Sequence, residues 1–330
     1  MVTLLIQRSR PEFNRRSAKV NTDHERSVTA HKQVMSDFET TSLYRISQLP
    51  IDPNAEIFRQ YPAFKLGVTA SVRHYAQLLL PVMKRLIAVD SEHSGWILTG
   101  PALAAQTLAG ANLLSRELFD LYKQDQDVST AKALSLIDIE YDNEKTASID
   151  YANLDFADRV TERERLNSRL VSNSNFHGRP VLFINDICIT GAQQRAMHRY
   201  FEREGAASVK WLYLVVVDPE VGMTNPKIEW QINFCPFEDL LRLVSREEIQ
   251  FTGKCVLKLM NLSIAELDQV LRALNKERRS RLLELALLNG FHNLDGFREQ
   301  MELVRSYGSK QIEERQDINL IMNSSQSTRP

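Results

Sequence analysis

Residues 181–193 read Val-Leu-Phe-Ile-Asn-Asp-Ile-Cys-Ile-Thr-Gly-Ala-Gln. Four apolar residues lead into an amide and an acid, and a Thr-Gly pair follows. An apolar run of this kind is expected of a strand buried on both faces. In open α/β sheets, ligands bind beyond the carboxyl ends of the strands. An acid at that position, Asp186, can accept hydrogen bonds from sugar hydroxyls. Backbone N–H groups at the start of the next helix suit a phosphate, and Thr190 adds a hydroxyl. Gly191 lets the backbone come close to its ligand. Together these parts read as a cradle for a sugar phosphate. Neither GxxxxGK[ST] nor GxGxxG occurs, which excludes a P-loop and a dinucleotide fingerprint.

The elements that must hold this cradle alternate. Val181–Ile184 is a strand, Ala192–Glu204 a helix closed by Gly205, and Val209–Val217 a second buried strand stopped by Asp218-Pro219. Upstream, Val72, Tyr75, Ala76, Leu79, Leu80, Met83, Leu86 and Ile87 form a helical core stripe, with Pro81 an expected kink. Trp96–Thr99 predicts a strand cut off by Gly100-Pro101. Ala102–Leu121 reads as a helix and Ala131–Tyr141 as a strand. The polar stretch 142–178 reads as a long mobile loop. Such alternation predicts an α/β fold, a doubly wound and mostly parallel sheet. From residue 237 the pattern turns all-helical. Ser263 and Glu266 form a capping box ahead of the stripe Ile264, Leu267, Leu271 and Leu274. Further helices are expected over 278–289 and 295–307, ending at Gly290 and Gly308. The expected organisation is a flexible basic arm over 1–42, the α/β domain over 43–236, a helical C-terminal domain over 237–316 and a disordered tail over 317–330.

The run at 181–193 resembles the signature of type I phosphoribosyltransferases. In that signature four apolar residues precede two acids, a short variable stretch and Thr-Gly. Val181–Ile184, Asp186 and Thr190-Gly191 match it. The resemblance covers roughly residues 60–235, with the helical region as an extra part. It implies a phosphoribosyltransferase-like sheet and a chemistry. Pyrophosphate would be displaced from C1 of phosphoribosyl pyrophosphate by a nucleobase-like nitrogen, or the reverse. By the resemblance, Asp186 and Asn185 are the candidate catalytic residues, Asp186 holding a ribose hydroxyl. Cys188, Ile189, Thr190, Gly191, Ala192 and Gln193 would bind the 5′-phosphate. Thr99, Gly100, Pro101 and Ala102 stand where the family has its pyrophosphate loop. The stretch 142–178 stands where it has a covering loop, from which Lys145, Arg159 and Arg163 would reach the pyrophosphate. Trp230 and Phe234 stand where it has a hood over the base. Mg²⁺ is the implied cofactor, carried by the pyrophosphate oxygens, with no metal ligand read from the protein.

Two positions depart from the signature. Asn185 replaces the first acid, and Gln193 replaces a Thr that commonly closes the phosphate loop. Asn can hydrogen-bond a hydroxyl but brings no charge. Losing one such electrostatic contact costs on the order of 3 kcal/mol, about a hundredfold in rate. Three functional expectations follow. The first is a phosphoribosyltransferase. The second is a module that senses phosphoribosyl pyrophosphate or a nucleotide and signals through its helical region. The third is an effector of bacterial stress or anti-phage defence, since similar proteins of unassigned substrate are found in such operons.

Composition narrows the partners. Lys and Arg number 41 and Asp and Glu 42, a net charge of −1. That excludes nucleic-acid binding by bulk charge. The first 34 residues hold seven basic and three acidic side chains, a local +4. Contact with nucleic acid is therefore the weaker expectation, beside a homodimer and a protein partner for the helical region. No apolar stretch nears the roughly 18 residues that span a bilayer, so no membrane role is expected. Three cysteines without CxxC spacing fit a reducing cytoplasm. Asp138, Glu140 and Asp142 read as an exposed strand face, and the seven His residues show no metal-binding spacing. Lys276, Arg278, Arg279 and Arg281 read as a solvated helix face. Cys188 reads as a small packing residue.

Overall fold

The computed structural model describes residues 38–52, 54–89, 95–103, 107–125, 133–141, 170–172, 175–225, 227–245 and 248–308. The main sheet has five parallel strands: β1 (Thr40–Ile46), β2 (Gly95–Thr99), β3 (Ala133–Leu136), β6 (Pro180–Cys188) and β7 (Ser208–Val217). Their order is β1-β7-β6-β2-β3, so β6, which carries the Asn-Asp pair, is central. Two-residue strands β4 (Glu140–Tyr141) and β5 (Leu170–Val171) pair antiparallel in a separate small sheet. Short helices α1 (Glu56–Arg59) and α2 (Tyr61–Leu66) precede the long α3 (Thr69–Val89), and α4 (Gly110–Gln124) follows β2. Helix α5 (Ala192–Arg203) joins β6 to β7. Beyond β7 come α6 (Pro219–Thr224), α7 (Ile228–Ile232), α8 (Phe237–Ser245), α9 (Gly253–Met260), α10 (Ile264–Ala273) and α11 (Lys276–Leu288). Two turns of 3₁₀ helix lead into α12, residues 298–308.

The sheet is covered on both faces. Leu182 and Ile184 of β6, Leu212 and Leu214 of β7 and the stripes of α3 and α4 share one core. Val181 and Phe183, Trp211 and Tyr213, and Met197, Tyr200 and Phe201 of α5 share the other. Side chains in a strand alternate between faces, which is why neighbouring residues of β6 enter different cores. All four residues Val181–Ile184 are completely buried, as the apolar run predicts. Helices α8 to α12 build a third core, and Ala63, Leu66 and Val68 from the α2 region are part of it. The helical region therefore grips the back of α2. Val68 bridges to Ile249, Gln250 N–H donates to Gly67 O at 2.9 Å, and Thr252 Oγ1 donates to Lys65 O at 2.7 Å.

Several elements differ from the sequence expectation, each for a local reason. Strand β1 begins at Thr40, inside the stretch read as an arm; it is an edge strand without a continuous apolar run. The helix expected from Ala102 starts at Gly110. Leu103 instead pairs by backbone with Ile139 and Tyr141, and the Asn112 side chain accepts from Ala109 N–H at 2.9 Å to cap α4. The strand expected to reach Tyr141 stops at Leu136; Ile137 N–H still donates to Leu98 O of β2, and Glu140–Tyr141 form the separate strand β4. Pro81 lies within α3, which stays helical through it.

Candidate functional site

Strand β6 outlasts its neighbour. Its pairing with β2 ends at Thr99–Phe183, while its pairing with β7 continues to Cys188–Val216. Asn185 and Asp186 thus lie within the strand, not beyond it, but on the part that β2 no longer flanks. Both are buried. The chain then turns through Ile189 and Thr190 to Gly191, whose φ of 66° is left-handed and free of penalty only for glycine. Helix α5 starts at the next residue.

The phosphate-loop candidates come together at this turn. Cys188, Ile189, Thr190 and Ala192 are buried, and Gln193 is half-buried. Thr190 Oγ1 accepts from Ala192 N–H at 3.4 Å, a helix-start contact. Arg195, which the sequence pattern does not single out, donates to Thr190 O at 3.2 Å and brings a positive charge to the turn. Asn185 Nδ2 donates to Gln193 Oε1 at 3.1 Å, so the two departures from the signature bond to each other. The Cys188 thiol donates to Gln194 Oε1, and burial pushes its pKa up to about 11, which keeps it protonated.

Asp186 faces the opposite side of β6. Its Oδ2 accepts from Tyr61 Oη at 3.0 Å and from Lys65 Nζ, both on α2. The same Lys65 ammonium donates to Glu229 Oε1 of α7 at 3.0 Å, and Asn233 Nδ2 donates to Glu229 Oε1 at 3.3 Å. Burial pulls the Lys65 pKa down, but the charges of Asp186 and Glu229 and the bonds to them outweigh burial and hold it above its ordinary value. Burial, then the same two charges, raise the Tyr61 phenol well above its usual range. Tyr61 and Lys65 stand four residues apart on one helix, as do Glu229 and Asn233 along α7 and its end. That spacing is their only local signal.

The remaining candidates lie around this centre. Thr99 is fully buried, and its hydroxyl has no partner among the described residues. Gly100 and Pro101 rest on the start of α4, where Asn112 Nδ2 donates to Pro101 O at 2.7 Å. Ala102 packs against the α5-side core. Trp230 and Phe234 are exposed, 50% and 62%, with ring centroids 6.2 Å apart. They sit beside the inward-facing Glu229 and Asn233. Lys145, Arg159, Arg163 and Asp142 lie outside the described residues, as do the arm up to residue 37 and the tail from 309. Asp138 is ion-paired with Arg116 at 2.7 Å. In the basic cluster, Arg278 and Arg279 donate to the carbonyls of Val244 and Arg272, and Arg281 pairs with Glu284. Among the described residues, no helix is long and apolar enough to cross a membrane.

The family model described as PRTase ComF-like, a phosphoribosyltransferase family, matches residues 39–304. The chain belongs to this ComF-like family. The match reaches further than the loop signature suggests, taking in β1 at one end and most of α12 at the other. The ComF-like chain also resembles solved phosphoribosyltransferases at low identity. A hypoxanthine phosphoribosyltransferase from Staphylococcus aureus is 13% identical, with a TM-score of 0.27, over 44% of this chain and 64% of that one. The chain thus spans less than two thirds of the staphylococcal enzyme. A hypoxanthine-guanine phosphoribosyltransferase from Bacillus anthracis is 14% identical, with a TM-score of 0.28, over 47% and 72%. The hypoxanthine phosphoribosyltransferase of Trypanosoma cruzi is 11% identical, with a TM-score of 0.25, over 48% and 67%. No curated protein matches the chain.

Proposed function

We propose that this ComF-like chain binds phosphoribosyl pyrophosphate with Mg²⁺ and exchanges the pyrophosphate for a nucleobase-like nitrogen at C1 of the ribose. The observation that carries the reading is the pairing of Asp186 with the Gly191 turn, an acid and a helix start on one central strand. The backbone N–H groups at the start of α5 and the charge of Arg195 suit the 5′-phosphate. Asp186 suits the ribose hydroxyls, which would replace Tyr61 or Lys65 as its donors. The Gly100–Ala102 turn at the end of β2, next to β6 in the sheet, suits the pyrophosphate. Trp230 and Phe234 offer a stacking surface beside the acid, worth about 1–3 kcal/mol per base in other nucleotide sites.

Around Lys65 stand the carboxylate oxygens of Asp186 and Glu229, the hard class that Mg²⁺ takes. Among the described residues, no three His, Cys, Asp or Glu side chains converge. This donor set fits an ion that arrives on the pyrophosphate, with Asp186 positioned to hold its water shell. When bound, the ion neutralises the leaving pyrophosphate.

Calorimetric titration with phosphoribosyl pyrophosphate and Mg²⁺ tests the reading. Micromolar binding is expected for the wild type, and a loss of about a hundredfold for Asp186→Asn, about 2.7 kcal/mol. Equal affinity in the two proteins would overturn the site. A second reading, binding without turnover, is favoured by the neutral Asn185 and by the Lys65 bond to Asp186. Tight binding with no pyrophosphate released on any base would select it.

A further inference from the structure

The amide and the acid of the loop point to opposite faces of β6. Asn185 bonds to Gln193 on the α5 side, and Asp186 bonds to Tyr61 and Lys65 on the α2 side. An acid at position 185 would lie against Gln193 and the phosphate turn, away from the groups around Asp186. A second carboxylate nevertheless reaches the Asp186 side. It comes from Glu229, 43 residues further along the chain and on a different element, and it is 9% exposed. Lys65 Nζ bonds both carboxylates, so the cluster carries two negative charges and one positive. A lone ion pair would satisfy Lys65. A further buried carboxylate costs desolvation that folding alone does not require.

We propose that Glu229 is the second acid of the site, paired with Asp186 on the shared Lys65 ammonium, and that it gives the Asp186 face a charge that position 185, on the opposite face, does not reach. The inference rests on the phosphoribosyl pyrophosphate reading. Lys65 is then a positioning residue: it lets two carboxylates stand together where each alone would repel the other. The groups that face the pair are Tyr61 and Lys65 from α2 and Asn233 at the end of α7, whose amide donates to Glu229. The net charge of −1 stands beside a sugar that turns electron-poor as pyrophosphate departs, the kind of fixed charge that favours such a transition state. Sequence reading misses the pair because a local motif records only what is local.

Two measurements test the pair. In the ligand-free protein, carboxyl-carbon NMR follows the titration of Asp186 and Glu229. In Lys65→Met the two carboxylates are expected to titrate as a coupled pair, the upper step rising by about one unit or more, and Lys65→Arg is expected to restore the wild-type curves. If Lys65→Met does not fold, Glu229→Gln serves: Asp186 is expected to titrate at lower pH once the neighbouring charge is gone. Unchanged curves in a folded variant would overturn the pair. With phosphoribosyl pyrophosphate and Mg²⁺, Glu229→Gln is expected to bind about tenfold more weakly. Asn185→Asp is expected to bind several-fold more weakly, because its charge faces the phosphate turn. Wild-type affinity in Glu229→Gln, or tighter binding by Asn185→Asp, would overturn the inference. Absence of binding by the wild type would sink the functional reading instead, and the NMR curves would still decide the pair.

Discussion

The two faces of β6 are built by different means. On the α5 side, the turn is made of neighbours: Asn185, Thr190, Gly191, Gln193 and Arg195 fall within eleven residues and bond to one another across at most eight positions. On the α2 side, the acid is surrounded by side chains from far away. Tyr61 and Lys65 stand 125 and 121 residues from Asp186, and Lys65 stands 164 from Glu229. A backbone cradle needs a short sequence with the right turn. A charge cluster needs only that the fold bring its members together. The difference separates what a motif can specify from what the tertiary structure must supply.

The comparison can be broken on either side. Gly67 ends α2 with φ 93°, and a Cβ there would collide with the Gln250 carbonyl oxygen. Gly67→Ala is expected to cost about 3 kcal/mol or more, from the left-handed strain and the lost grip of the helical region. Urea unfolding measures it, and a midpoint near wild type would show that α2 is not anchored there. On the other side, a Cβ at Gly222 of α6 would meet the Ile189 carbonyl oxygen. Gly222→Ala is expected to cost about 1–3 kcal/mol as overpacking and to disturb the phosphate turn more than the Asp186 cluster. Comparing inorganic phosphate binding with the Asp186 titration separates the two effects. The mildest expectation near neutrality concerns pH. Tyr61, Lys65 and Tyr213 all have folded pKa values above their ordinary ones. A raised pKa favours the protonated folded state, so this stability is complete below the unfolded values of about 10 and is lost as pH rises beyond them. The melting temperature should hold level from about pH 7 to 9 and fall above about pH 10. Tyr61→Phe should remove part of the fall.

The sequence makes the loop legible because Val181–Ile184, Asp186 and Thr190-Gly191 are contiguous and each type has a distinct physical use. The buried strands and the helices from α10 onward are legible for a related reason: their periodicity or capping box is local, as at Ser263 and Glu266. Strand β1 is not, because an edge strand with half-buried residues carries a weak pattern. The start of α4 is misjudged because the backbone of Leu103 prefers Ile139 and Tyr141, partners with no mark in the local sequence. Lys65 and Glu229 read on their own as ordinary charged residues. Only the fold brings them to Asp186.

The place of β1 in the sheet also constrains how the chain acquires its shape. Arg45 in β1 and Asp218 just past β7 form an ion pair across 173 positions, and β1 pairs with β7 alone. At about 5–20 residues per second, a ribosome releases β1 roughly ten to thirty seconds before its partner exists. Parallel pairing over that separation is slow to nucleate, since the chain between must close first. During synthesis the first strand of the sheet waits for the last, while the other edge, β3, meets its partner β2 before β6 and β7 are made.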